Sequence, residues 1–226
     1  MAEGTCRSRH ASAAVLAEQK DEPRIEGRCS PGKARVSISL TTAEAALSNI
    51  VRAVPGRGGA IQPAIDALSA PVYLTDAEGV VTHFNKACVN FAGRRPIPGR
   101  DRWCVTWRLY TTDGEHLPHA SCPMALAIRR REPIRGLSAI AERPDRTRVV
   151  FTPFPTPIFD DGELIGAANM LIDITDLRQI ESLREQAKRC RRLAGDMSED
   201  QTADILRRMA DDYEAKARRL EQARLR

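Results

Sequence analysis

Two hydrophobic patterns divide the chain near residue 175. Before it, from about residue 62, short apolar runs alternate with turn residues. "PVYLT" (71–75) and "VVTHF" (80–84) are rich in β-branched and aromatic residues, and "DAEG", ending on Gly79, joins them as a hairpin turn. "NKACVNFAG" reads as a short helix closed by Gly93, and a Pro- and Gly-rich stretch leads to a second helix, "CPMALAIRRR". Three further strands follow, "IRGLSAIAE", "TRVVFTPF" and "ELIGAANMLIDI", linked by "RPDR" and "DDG". Connections this short require antiparallel neighbours, which predicts two strands, a helical middle and three strands in one antiparallel sheet. Pro153, Pro155 and Pro157 alternate, so their missing N–H groups lie on one side of their strand. Pairing on that side should fade near Pro153 while the last strand keeps its pairing on the other. Alternation also suggests Phe84, Phe154, Met170 and Ile172 as inward neighbours.

After Thr175 the spacing turns helical. Ile180, Leu183, Ala187, Cys190 and Ala194 recur at three and four, with Gly195 at the C-terminal cap. Ser198 and Gln201 form a capping box for a second helix carrying Ala203, Leu206, Ala210, Tyr213, Ala217 and Leu220. Joined by a short turn, the two read as an antiparallel hairpin. Toward the N-terminus, "TTAEAALSNIVRAV" places Leu47, Ile50, Val51 and Val54 on one helical face, stopped by Pro55 and the glycines after it. Residues 1–40 show no sustained periodicity. The expected organisation is a disordered tail (1–40), a short amphipathic helix and linker (41–61), an α+β domain (62–174) and a signalling or dimerisation hairpin (175–226).

Composition narrows the function. The chain has 226 residues, and its net charge of +5 comes from arginine interleaved with acidic residues, while aromatics are 4%. A basic stripe with stacking aromatics is not seen, so no nucleic-acid partner is expected. No apolar run is long enough for a membrane span, and no export signal is read, so the expected location is cytoplasmic with free thiols on the six scattered cysteines. No GxSxG, P-loop, HExxH or GxGxxG stands in context, and no histidine lies on the C-terminal helices. Catalysis is therefore not expected.

The ordered segments "ALSAPVYLTDAEGVVTHFNKAC", "GRDRWCVTWRLYTTDGEHLPHASCPMALAI", "IRGLSAIAERPDRTRVVFTPFPTP" and "GAANMLIDITD" resemble a bacterial PAS subfamily often found ahead of sensor-kinase output domains. The resemblance covers about residues 62–176. It implies an α+β fold with a five-stranded antiparallel sheet in the spatial order 2-1-5-4-3, helices over one face, and space between for a small ligand, haem or flavin. It also implies homodimerisation through the sheet or flanking helices, with signals leaving through the helix after the last strand at Asp173, Ile174 and Thr175. Thr175 can cap that helix. In the turn "RPDRT", Arg146 replaces the glycine usual in relatives, which strains the backbone if that position needs a positive φ.

"HLPHASCPM" (116–124) offers His116, His119 and Cys122 as N/N/S ligands for zinc, but Pro118 interrupts a common helical face and a fourth ligand is missing. As a loop leading into a helix, it gives Ser121 as N-cap, Pro123 in the first turn and Met124 as apolar cover. Haem through His119 or through His83 is a separate option. A light-sensing flavin site would place a cysteine in an "NCRFLQ"-like helix, which neither Cys88 nor Cys104 does. Trp103, Trp107 and Tyr110 read either as core cover or as the lining of a ligand cavity. The candidate ligand-binding set is Phe84, Trp103, Trp107, His119, Cys122, Met124, Phe154 and Met170, with the ligand or cofactor unnamed. The expected function is a PAS sensory or interaction module of a two-component system. It would act as a homodimer without its own transmitter, on a histidine kinase or response regulator in trans. The alternatives are a ligand-free dimerisation adaptor and a metal- or haem-binding protein using His119.

Overall fold

Seven strands of one antiparallel sheet hold the middle of the chain, in the order β2-β1-β7-β5-β4-β3 with β6 paired to β7. The computed structural model describes residues 40–54, 61–197 and 200–225. The expected tail up to residue 39 and the capping residue Ser198 lie outside them. In chain order the elements are α1 (Leu40–Ala53), α2 (Ile61–Asp66), β1 (Val72–Asp76), β2 (Val81–Phe84), α3 (Lys86–Ala92) and β3 (Arg108–Tyr110). A 3₁₀ turn (His119–Ser121) precedes α4 (Pro123–Arg130), followed by β4 (Ala139–Glu142), β5 (Arg148–Pro153), β6 (Thr156–Asp160), β7 (Glu163–Asp173), α5 (Thr175–Gly195) and α6 (Asp200–Leu225).

The five expected strands are present in the expected spatial order, and two features raise the count. β3 is a short strand added at the edge beside β4. The fourth expected strand is split into β5 and β6 by the prolines. Phe151 is the last residue paired with β4, opposite Ala139, whereas pairing with β7 resumes beyond the break and runs to Asp160. The register against β7 is the same on both sides, since Pro153 faces Leu171 and Thr156 faces Ala168. It is one strand that leaves its first partner early because its prolines have no N–H to offer.

Local signals account for the connections. Asn85 caps α3 by accepting from the Cys88 N–H, and Gly93 closes it in the left-handed region at φ 65°. Arg146 does adopt a positive φ, 66°, and the Asp145 carboxylate accepts from the Thr147 N–H and hydroxyl to hold that turn. The C-terminal cap of α5 falls on Asp196, one residue past Gly195.

Both sheet faces are covered. Over one, α3 and α4 bury Phe91, Met124 and Ile128 against Tyr73, Phe151 and Leu171. The structure adds a cover on the other, where Leu47 and Ile50 of α1 and Ile65 of α2 pack on Val72, Phe154, Ile158 and Met170. The α1 face thus has a defined partner, reinforced by an Arg135–Glu44 ion pair at 3.1 Å. Strands buried on both faces read as nearly continuous apolar runs, as "ANMLI" in β7 does.

Gly166 sits where β1 crosses β7 closely, and a Cβ there would collide with the Thr75 carbonyl. Gly166→Ala should cost about 1–3 kcal/mol in chemical denaturation, the usual penalty for forcing extra volume into a packed core. An unchanged midpoint would show that β1 can retreat.

Candidate functional site

The space between the sheet and α3/α4, where the resemblance implies room for a ligand, is lined by large side chains. Tyr73, Met124 and Phe151 are all essentially fully buried. Phe91 meets Phe151 edge to face, with ring centroids 5.3 Å apart. Three thiols, Cys88, Cys104 and Cys122, belong to the same cluster.

The eight candidate ligand residues do not all meet there. Cys122 and Met124 are in this core, with Phe84 and Trp103 half-buried at its margin. Arg95 lies over the Phe84 ring and Arg102 over that of Trp103. Trp107 is 39% exposed, with the Arg108 guanidinium stacked 4.3 Å from its centroid, so it faces outward. His119 is half-buried in the 3₁₀ turn. Phe154 and Met170, with Ile172, belong to the opposite face under α1, which corrects the inward placement expected of them. The inward set on these strands is instead Val149, Phe151, Ala167 and Leu171. Where both faces are apolar, alternation gives two sets without saying which is inside, and choosing the other parity moves a whole set across the sheet.

The segment "HLPHASCPM" is the loop leading into α4. Its N-cap is Cys122 rather than Ser121, and Pro123 occupies the first turn, where a missing N–H costs nothing. The Cys122 thiol points inward, with Sγ 3.8 Å from the Trp103 carbonyl, and burial pushes its pKa up to about 12. Near neutral pH it is held as a thiol. Among the described residues no three His, Cys, Asp or Glu side chains converge as metal ligands.

The residues that organise this core escaped the sequence reading. The Tyr73 hydroxyl donates to the Trp103 carbonyl at 2.9 Å and accepts from Asn169 Nδ2 at 3.0 Å. Asn169 Oδ1 accepts the Phe154 N–H at 2.9 Å, where the proline strand breaks. Trp103 sits at φ 68°, a strained conformation for a bulky residue, with its ring against Gly79, where no Cβ intervenes. Asn85 donates to the carbonyls of Ile65, Leu68 and Ala70 and accepts from the Val72 N–H. A signal was available: Tyr73 and Asn169 are polar positions inside apolar strand runs, and buried polar groups seek partners.

At the far end, Asp173, Ile174 and Thr175 do meet. Asp173 Oδ1 accepts the Thr175 N–H at 2.9 Å, and the Ile174 N–H donates to the Val150 carbonyl at 2.8 Å. Thr175 Oγ1 accepts the Val150 N–H at 3.0 Å. Thr175 is thus the first residue of α5 and not its cap; its hydroxyl fastens the helix start to β5.

Two titration predictions follow from burial. His119 is held below its ordinary pKa by burial, and secondarily by the Arg94 guanidinium. Neutral His119 is the form the fold accepts, so its contribution is complete above about pH 6.5 and lost as the pH falls toward the depressed value. His119→Gln should flatten that acid loss in pH-dependent unfolding; parallel profiles would remove His119 as its source. In alkylation of the dilute protein at pH 8, half-buried Cys190 should react before Cys88 and Cys122, whose thiols burial pushes up. Equal rates, mapped by peptide mass spectrometry, would contradict a closed core.

The family model described as PAS fold matches residues 65–179, just over half of the 226. Among solved structures, the chain is similar to a PAS domain from Colwellia psychrerythraea, at 16% identity over 50% of this chain and 92% of that one, TM-score 0.34. It is similar to the LOV domain of a blue-light-activated histidine kinase from Erythrobacter litoralis, at 18% identity over 48% and 98%, TM-score 0.38. It is also similar to a Rhodobacter sphaeroides LOV protein, at 13% identity over 79% and 98%, TM-score 0.38. No curated protein matches. The chain belongs to the PAS fold family.

Proposed function

We propose that this PAS domain is a sensory or interaction module that works as a homodimer in the cytoplasm. It relays a change in its core through α5 and α6 to a partner acting in trans, such as a histidine kinase or response regulator, and performs no catalysis itself. The observation that carries this reading is the fastening of Thr175 and Ile174 to Val150. Val149 and Phe151, on either side of Val150, point into the core beside Tyr73 and Met124. A ligand or partner that shifts those side chains moves the main chain of Val150, and with it both hydrogen bonds that position the first turn of α5. The expected response is rotation or loosening of α5 about a junction with two packings.

A ligand-free dimerisation adaptor is the second reading. It is favoured by the full burial of Tyr73, Met124 and Phe151 in the space a ligand would use. Native mass spectrometry of freshly purified protein separates the two: a reproducible small-molecule adduct favours the sensor and a clean apo dimer the adaptor.

The relay itself is tested at Thr175. Thr175→Val keeps the shape but removes the hydroxyl that holds Val150, a bond worth about 1 kcal/mol. Hydrogen exchange should quicken roughly fivefold at Val150 and along the first turns of α5, with β1 amides unchanged and Thr175→Ser close to wild type. Unaltered exchange in α5 would show that the junction does not couple sheet and helix.

A further inference from the structure

Helices α5 and α6 pack side by side as an antiparallel pair. Arg184 pairs with Glu221 and Arg191 with Glu214, so one helix descends as the other rises, seven residues at a time. The seam between them is made of Ile180, Ala187 and Ala194 on α5 and Ala203, Ala210 and Ala217 on α6, all at most 4% exposed. With these as heptad position a, the ion pairs connect e to e and close one flank, as antiparallel packing requires. The opposite flank carries positions d and g, which face the same side on both helices.

That flank differs sharply from the rest of the hairpin. Positions e at 184, 191, 207, 214 and 221 are all charged. Among the d and g positions from Gln179 to Ala223 within the two helices, Lys216 is the only charge, and it lies over the Tyr213 ring. The d residues Leu183, Cys190, Leu206, Tyr213 and Leu220 are only half-buried, and at g Leu193 and Met209 are 42% and 41% exposed. A two-helix seam needs no second apolar stripe. Helices with a, d and g all uncharged are those that face the core of a larger bundle.

We propose that a second copy of this hairpin covers the d/g face, forming a two-fold four-helix bundle; this rests on the homodimer reading and gives it a surface. A face whose one charge is Lys216 offers an oppositely charged partner little to select, but it is complementary to itself under two-fold symmetry. The size suits a dimer. α5 has 21 residues, or about 31 Å of helix, and two helices side by side span about 20 Å. The footprint is about 600 Å² per copy, or about 1,200 Å² in all, at the lower end for stable association, so a dimer of roughly micromolar strength is expected.

The test is sedimentation of the full chain at about 1–100 μM, with maleimide labelling of Cys190 mapped by peptide mass spectrometry. The wild type should dimerise, and Cys190 labelling should slow as its concentration rises. Leu193→Glu with Met209→Glu, at positions exposed in the single chain, should weaken the dimer about a hundredfold or more and restore fast labelling. Arg192→Glu, on the polar outer face of α5, should change neither. A wild-type dimer that survives the double substitution, or leaves Cys190 freely labelled at high concentration, overturns the bundle while leaving homodimerisation standing. A wild type monomeric throughout overturns both. The Cys190 protection in wild type decides the matter even where the double variant folds poorly.

Discussion

A phenol hydroxyl in a closed core must find hydrogen-bond partners, and the way Tyr73 does so ties the fold together. It donates to the carbonyl of Trp103 and accepts from Asn169, which in turn receives the Phe154 N–H. One chain of bonds thereby links β1, the central strand β7, the proline break between β5 and β6, and the strained turn at Trp103. Burial raises the Tyr73 pKa well above its ordinary value, so the proton that makes the bond stays in place. A broken link would leave a buried polar group unpaired, at a cost of about 1–3 kcal/mol, more than most single apolar contacts supply.

With that frame fixed, the sheet is covered on its faces and met at its margins. The Val81 N–H of β2 donates to the Asp101 carbonyl, and the Leu117 N–H meets the Leu109 carbonyl of β3, so loops occupy both edges. On the β6 side, Pro155 and Pro157 bring no N–H to an incoming strand. Contact with another chain by strand addition is thereby disfavoured, and the helical surfaces are the ones left open. The α5/α6 hairpin has the longest of these, joined to the sheet at Val150.

The core and the hairpin differ in how they hold together. In the domain, cohesion comes from large side chains such as Tyr73, Phe91 and Phe151, and from polar links that specify one arrangement. In the hairpin, alanines bring two backbones close with little buried area per residue, and exposed arginine–carboxylate pairs add modestly. The hairpin is therefore expected to open at a lower free energy than the sheet, since the weaker packing yields first.

The sequence alone determined what depends on local chemistry. Turn residues at Gly79 and Gly93 and short connections implied one antiparallel sheet, and the alternating prolines announced the strand that leaves its partner at Phe151. The 3–4 spacing of Ile180, Ala187 and Ala194 marked the hairpin, and the Asp-Ile-Thr motif marked the junction. What only the tertiary structure decided is which of two apolar sets faces inward. Phe154 and Met170 alternate as regularly as Phe151 and Leu171, and the choice was made by α1 covering the first pair and α3/α4 the second. The polar chain through Tyr73 and Asn169 and the reach of Thr175 to Val150 were likewise hidden, because they join residues 96 and 25 apart in sequence. Periodicity reports how a segment relates to its own faces; partners across such separations are set only when the strands are brought side by side.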